Sequence, residues 1–114
     1  MDAIIPLPKG VDPKQAVFLA NMETAVNLVQ DGNPRLGERA VVLGQGIVGL
    51  LVSSVLAEFP LAGLYAVESI EGRRALSGQA GARGTFSPDS DFDINALQEK
   101  LKLKEACGGA DVVF

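Results

Sequence analysis

The chain contains no histidine and only one cysteine among its 114 residues. The absence of histidine removes the side chain that most often acts as a general base near neutral pH and that is a frequent metal ligand. The single cysteine, Cys107, cannot form a disulfide bond within the chain. We therefore expect a reducing, cytoplasmic location and a structural or incidental role for Cys107.

Long apolar runs and basic clusters are also missing. Every window of transmembrane length is interrupted by a charge or a turn, and the start MDAIIPLPKG lacks the basic and apolar regions of a signal peptide. The net charge is −4 and the Lys and Arg residues are scattered, whereas a nucleic-acid surface needs a clustered basic face. We expect one globular unit that binds neither nucleic acid nor a membrane.

Proline punctuates residues 1–13, which predicts an extended linker, and a helix follows. Asp12, Pro13 and Gln15 are typical of a helix start, because they supply a capping side chain, proline at the first helical position and the partner of a capping box. Gly32 predicts the end of this helix. Between these ends the apolar residues that recur at helical spacing are Leu19, Met22, Val26 and Val29.

Four short apolar segments predict β-strands, and helical patterns separate them. The strands are expected over residues 40–43, 61–68, 82–87 and 110–114, and the helices over 46–59, 69–81 and 93–109. The first of these helices is expected to group Ser53, Ser54 and Glu58 on one polar side, and the last to be capped by Asp93. The alternation predicts an α/β fold with a doubly wound parallel sheet.

A glycine-spaced turn, GQGIVG, joins the first strand to its helix. Gly44 permits a tight turn, Gly46 lets the backbone approach a pyrophosphate, and Gly49 lets the helix lie close against the sheet. The helix N-terminus adds free N–H groups and a partial positive charge. This context predicts a dinucleotide site; the alternative is a tight turn that binds no ligand.

Glu68, nineteen residues beyond Gly49, ends the second predicted strand. A carboxylate there can accept hydrogen bonds from ribose hydroxyls and repel a 2'-phosphate, which favours NAD over NADP. NADP stays open, because Ser69, Arg73 and Arg74 could hold a phosphate. The alternatives are an exposed carboxylate near a helix start and, for both arginines, a solvated helix face.

These residues resemble the cofactor-binding domain of the medium-chain dehydrogenase/reductase superfamily, the zinc-type alcohol dehydrogenase relatives. The resemblance is carried by AVFLANMETAVNLVQDGNPRLGERAVVLGQGIVGLL, YAVE, RRALSGQAGA and GADVVF, which cover most of the chain. It implies a Rossmann-type domain over residues 14–114, a linker from a separate catalytic domain over residues 1–13, and a contact of Arg73 with the ribose. The expected cofactor-binding residues are Gly44, Gln45, Gly46, Ile47, Val48, Gly49, Glu68, Ser69 and Arg73.

Two departures limit the resemblance. A zinc ligand of the family would lie near Ala20, which cannot coordinate a metal, and Glu23 one turn further has no partner ligand, so we expect no metal in this chain and zinc only in the catalytic domain. The sequence also stops as a fourth strand begins, which indicates a truncated sheet that would hold the adenosine half of the cofactor. The apolar edge of VVF predicts a homo-oligomer.

The resemblance implies hydride exchange between NAD(H) and an alcohol or carbonyl compound in the full-length protein, with no catalytic residue in this chain. Tyr65 lies in a predicted strand, and Glu23 and Thr24 are weak polar candidates. Two rival functions remain open. One is an adenosylmethionine-dependent methyltransferase, which shares the glycine turn and the acid, and the other is a non-catalytic Rossmann-like structural or regulatory domain.

Overall fold

A parallel sheet lies at the centre of the computed structural model, which describes residues 4–102 and 109–114. Its strands are β1 (Arg39–Leu43), β2 (Gly63–Val67), β3 (Gly84–Phe86) and β4 (Val112–Val113). They lie in the order β3-β2-β1-β4, and every pairing is parallel. The predicted α/β class and the Rossmann-type doubly wound sheet are confirmed.

Helices precede and connect these strands. They are α1 (Pro13–Ala16), α2 (Leu19–Gly32), α3 (Ile47–Leu56), α4 (Glu71–Gln79) and α5 (Asp91–Leu101). In this part of the chain no helix combines the length and the apolar character needed to cross a bilayer.

The first predicted helix starts as expected but is divided in two. Asp12 caps α1 and accepts a hydrogen bond from the backbone N–H of Lys14. The N–H of Phe18 then bonds to the carbonyl of Gln15, three residues back, which interrupts the α-helical ladder before α2. Of the predicted apolar positions, Val29 is buried and Leu19 is exposed.

The helix ends at Gly32, as the sequence predicts. Gly32 is the last residue of α2, and Asn33 forms the left-handed cap with φ 45°. Asparagine tolerates this conformation better than most residues. Gly32 instead makes room for a distant ring, because a Cβ at this position would overlap the side chain of Phe114.

The last helix also differs from its prediction. It begins at Asp91, and Ser90 caps it by accepting the N–H of Asp93 at 3.1 Å. The carboxylate of Asp93 instead accepts the N–H of Ser87 at 2.8 Å, which ties the loop after β3 to the helix. The helix ends at Leu101, before the predicted stop at 108–109; part of that stop, and Cys107, lie outside the described residues.

Apolar side chains cover both faces of the sheet. One cluster joins β1 and β2 to α2 and α3 and contains Ala25, Val29, Ala40, Val42, Val52, Leu56, Leu61 and Leu64. The other lies between the sheet and α5 and contains Val41, Tyr65, Val67, Phe86, Leu97 and Leu101. Since neighbouring residues of β1 face opposite clusters, the strand is apolar without alternation, as the sequence predicts.

The strand order places a topological switch point beside β1. The chain passes from β1 to β2 and β3 on one side and returns to β4 on the other side of β1. In open parallel sheets the crevice at the carboxyl ends of such strands is the usual position of a ligand. The turn that starts at Gly44 leaves β1 at this point.

Candidate functional site

The glycine turn adopts the geometry that its spacing predicts. Gly44 has φ +86°, in the left-handed region, and donates its N–H to the carbonyl of Val67 at 2.8 Å. Gly46 caps α3, and a Cβ built on it would meet no atom within 4 Å. The space beside Gly46 is therefore open to a ligand.

Gly49 makes the close contact in this turn. A Cβ at Gly49 would overlap the carbonyl oxygen of Gly44 and lie 3.5 Å from the side-chain nitrogen of Gln45. The start of α3 thus lies close to the carboxyl end of β1, and a side chain at position 49 would push them apart. The three glycines serve three different purposes: Gly44 adopts a left-handed conformation, Gly46 leaves open space at the start of α3, and Gly49 allows the close contact.

The first residues of α3 offer hydrogen-bond donors to this free volume. The N–H groups at the beginning of a helix have no carbonyl partner within the helix, and here they belong to Ile47, Val48 and Gly49. Their dipoles add to the partial positive charge of the helix N-terminus. The side chain of Ile47 is exposed, whereas Val48 packs against the core. These two residues can therefore contribute backbone groups and an apolar rim.

Glu68 lies directly beneath the turn rather than in solvent. It follows β2, is 6% exposed, and its Oε2 accepts the N–H of Gln45 at 2.6 Å. Its Oε1 accepts the N–H of Ile70 at 2.9 Å and the hydroxyl of Ser69 at 3.3 Å. The alternative of an exposed carboxylate with no specific contacts is therefore wrong, and the acid and the turn form one structural unit.

These contacts keep Glu68 ionised. Its pKa is lowered from the ordinary value of 4.5, chiefly by the backbone N–H groups of Ile70 and Gln45, while burial acts in the opposite direction. The hydroxyl of Ser69 and the positive charge of Arg73 lower the pKa further. At neutral pH the site therefore carries a fixed negative charge beside the positive end of α3.

The two arginines of α4 make different contacts. The Nη1 of Arg74 donates to the carbonyls of Glu68 at 2.7 Å and Ser69 at 2.5 Å, so this side chain braces the loop after β2. The Nη1 of Arg73 lies 4.0 Å from Oε2 of Glu68, and its side chain is 51% exposed. Arg73 is therefore free to turn towards a ligand, while Arg74 is held by the backbone.

The structure reveals a buried hydrogen-bond pair that sequence reasoning missed. Ser53 was expected on the polar side of α3 with Ser54 and Glu58, but it is fully buried and donates its hydroxyl to Oε1 of Gln45 at 3.1 Å. The side chain of Gln45 is also fully buried, so it has no surface on which a ligand could lie. A serine inside the apolar stretch IVGLLVSSVL, eight residues after a glutamine between two glycines, was the available signal.

The remaining polar candidates do not join the turn. Glu23 is exposed on α2, and the hydroxyl of Thr24 donates to the carbonyl of Ala20 in its own helix. Tyr65 is buried in the core, where its ring lies 6.3 Å from that of Phe86. Within residues 4–102 and 109–114 no three Asp, Glu, Cys or His side chains come close enough to hold a metal ion. The residues that are described therefore do not fit a zinc site.

Comparison with known proteins confirms the resemblance to the medium-chain dehydrogenase/reductase superfamily. No family model matches the chain. Residues of this chain align with 2-dehydro-3-deoxy-L-galactonate 5-dehydrogenase of Pseudoalteromonas atlantica at 32% identity and with D-xylulose reductase A of Aspergillus oryzae at 27%, over 95% of the chain in each case. Sorbitol dehydrogenase 1 of Saccharomyces cerevisiae is 28% identical over 99% of the chain. The chain spans only 30–32% of the length of these curated relatives.

Solved structures support the same fold. A short chain alcohol dehydrogenase from Escherichia coli, in complex with NADH, superimposes with a TM-score of 0.73 at 20% identity, over 90% of this chain and 32% of its own. The quinone oxidoreductase of Thermus thermophilus, whose complex with NADPH is solved, superimposes with a TM-score of 0.66 at 25% identity, over 83% of this chain and 32% of its own.

Proposed function

We propose that this chain is the dinucleotide-binding part of an NAD(P)-dependent oxidoreductase similar to alcohol and polyol dehydrogenases. The observation that carries the proposal is the 2.6 Å hydrogen bond between the N–H of Gln45 and Glu68. It brings the glycine turn and the acid within reach of a single ligand that has a pyrophosphate at one end and a ribose at the other. Residues 14–114 would form this domain, and residues 1–13 would link it to a catalytic domain.

In this proposal the turn holds the pyrophosphate. The N–H groups of Ile47, Val48 and Gly49 and the partial positive charge of α3 attract the phosphate oxygens. The open side of Gly46 lets these oxygens approach the backbone, because a Cβ at this position would occupy free space and no protein atom.

Glu68 and its neighbours would hold the adenosine ribose. Each carboxylate oxygen has about two acceptor sites, so Oε2 keeps one site beside the N–H of Gln45. The bond from Ser69 to Oε1 is long, at 3.3 Å, and a ribose hydroxyl can replace it. Arg73 can reach the same ribose from α4 and partly balance the charge of Glu68.

The negative charge of Glu68 favours NAD over NADP, since a 2'-phosphate would lie against a buried carboxylate.

The bound cofactor supplies hydride exchange with an alcohol or carbonyl carbon. In this proposal the chain contributes binding and orientation, and the catalytic residues belong to the catalytic domain. The names of the curated relatives suggest polyols or sugar acids as the substrate class. Any zinc would belong to the catalytic domain, and the cytoplasmic location stays a prediction.

Calorimetric titration with NAD, NADP and AMP tests the proposal on the full-length protein. We expect NAD and AMP to bind and NADP to bind about tenfold more weakly or worse. Gly46→Val should abolish NAD binding without unfolding the protein, because a Cβ at this position meets no protein atom within 4 Å and projects into the proposed ligand space. Gly78→Val is the matched control, since Gly78 is also open on α4 and lies in a different helix. Glu68→Ala should weaken the binding of both NAD and AMP.

Two outcomes would overturn the proposal. An absence of binding by all three ligands would favour a structural or regulatory domain. Binding of adenosylmethionine in place of NAD, in a competition titration, would favour a methyltransferase.

The proposal includes self-association through the sheet edge. Among the described strands β4 lies beside β1 at one side of the sheet, and the side chain of Val113 is 54% exposed. An apolar outer strand can pair with a second copy. Sedimentation that detects only monomer at high concentration would contradict this part.

A further inference from the structure

The hydroxyl of Ser53 departs from the pattern of the other helical hydroxyl groups in the described residues. Thr24, Ser54 and Ser77 each donate to the carbonyl four residues back, at 3.0, 2.9 and 3.0 Å. Ser53 donates instead to the side chain of Gln45, eight residues back. A serine in a helix normally has the local carbonyl available, so its side chain is directed here by the glutamine.

Gln45 passes this contact on to the turn. Its Nε2 donates to the carbonyl of Gly44 at 3.1 Å while its Oε1 accepts from Ser53. Both Gln45 and Ser53 are fully buried. The carbonyl of Gly44 is also the atom that a Cβ on Gly49 would strike. A continuous chain of hydrogen bonds therefore runs from the middle of α3 to the underside of the turn.

Gln45 is held at both its main chain and its side chain. Its N–H is bonded to Glu68 at 2.6 Å, and its amide joins Gly44 to Ser53. Buried polar groups are costly unless they are fully paired, and every buried side-chain N or O atom of the described residues has a partner. An apolar side chain would fill this position without needing a hydrogen-bond partner. The use of a polar pair here therefore indicates that its hydrogen bonds fix the conformation of the turn.

Resting on the dinucleotide site proposed above, we propose that the buried Gln45–Ser53 pair positions the turn for the pyrophosphate. Both side chains are fully buried, so they act on the turn and offer no surface to a ligand. The pair holds the carbonyl of Gly44, and with it the peptide that joins Gly44 to Gln45, in one orientation, so that the free N–H groups at the start of α3 stay beside the open side of Gly46. A turn that is released from the pair samples other conformations, and the apparent affinity falls in proportion to the population that remains competent.

The positioning role differs measurably from simple packing. If the pair only fills the core, its removal lowers the melting temperature and leaves ligand affinities unchanged. If it positions the turn, its removal weakens ligands that carry a pyrophosphate more than it weakens adenosine. Adenosine contacts the ribose site at Glu68 and has no phosphate to place on the turn.

The test uses Ser53→Ala and Gln45→Met in the full-length protein, titrated with NAD and with adenosine. We expect NAD to bind about five- to tenfold more weakly and adenosine to change less than about twofold. Ser54→Ala is the matched control, since it removes the neighbouring exposed hydroxyl of the same helix. An unchanged ratio of NAD to adenosine affinity in both variants would overturn the proposal.

Amide hydrogen exchange gives a readout that does not depend on the ligand. In Ser53→Ala the N–H of Gln45 should exchange faster, while the N–H groups of β2 stay protected. Equal protection of Gln45 in the variant and the wild type contradicts the positioning role. If the wild-type protein binds neither NAD nor adenosine, the proposed function fails as well. If the wild type binds NAD and the variants match it, only the positioning role fails.

Discussion

The carboxylate of Glu68 accepts the backbone N–H of Gln45 at 2.6 Å, across 23 residues of chain. This bond connects the end of β2 to the turn that follows β1. It makes the acid a structural part of the turn and also leaves it beside the space that the proposed dinucleotide would occupy. Changes at Glu68 should therefore alter both stability and binding.

The first prediction concerns the pH dependence of stability. The pKa of Glu68 in the folded state is lowered below 4.5, so its contribution to stability is fully present above that value and is lost as pH falls through the folded pKa. Glu68→Gln should destabilise the protein by about 1–3 kcal/mol at pH 7, since an amide cannot accept both backbone N–H groups. Melting curves between pH 3 and pH 7 measure the effect.

The difference in stability between wild type and Glu68→Gln should shrink as the pH falls below 4.5. Glu58→Gln serves as the control, because Glu58 is exposed just beyond the end of α3. A difference that stays constant down to pH 3 would show that the charge of Glu68 does not stabilise the turn.

The second prediction concerns Gly49. Gly49→Ala should destabilise the protein by about 2–4 kcal/mol, because its Cβ overlaps the backbone carbonyl of Gly44 and backbone cannot yield cheaply. Gly78→Ala, in an open helical position, should instead stabilise by up to about 1 kcal/mol. Urea unfolding of the two variants measures both effects, and equal stabilities would mean that the turn and α3 are not in close contact.

The third prediction separates the two arginines. Arg74→Ala should lower stability by about 1–2 kcal/mol, since its guanidinium bonds to two carbonyls of the loop after β2. Arg73→Ala should leave stability within about 0.5 kcal/mol, because its ion pair is half-exposed. The same substitution should weaken the binding of NAD by about three- to tenfold, through loss of the proposed contact with the ribose. Thermal unfolding and calorimetry measure the two effects. A loss of stability in Arg73→Ala and weaker NAD binding in Arg74→Ala would show that the two roles are assigned the wrong way round.

The fourth prediction concerns Gly32 and Phe114. Gly32→Ala should destabilise by about 1–2 kcal/mol, although alanine is normally the better helix residue, because the new Cβ overlaps the ring of Phe114. In a protein that already carries Phe114→Leu, Gly32→Ala should lower the free energy of unfolding by a smaller amount. A double-mutant cycle by urea unfolding measures this coupling, and simple additivity would indicate that the ring does not lie against α2.

Much of the fold follows from local patterns. The apolar segments, the glycine turn and the acid after β2 all lie where the sequence predicts, because strand and helix periodicity and the needs of a tight turn are properties of neighbouring residues. The errors lie at boundaries. The break before α2, the left-handed Asn33 and the early end of α5 depend on contacts or backbone competition that periodicity does not encode.

The sequence by itself determined the α/β order, the position of the turn and the residue types that it offers to a ligand, since each depends on a few adjacent residues. Only the tertiary structure decided that Gln45 and Ser53 meet beneath the turn, that Glu68 is buried against it, and that Arg74 and not Arg73 is tied to the backbone. These relationships join residues that are remote along the chain. They depend on how α3, β2 and α4 pack around β1, which sets the distances that no spacing in the sequence reveals.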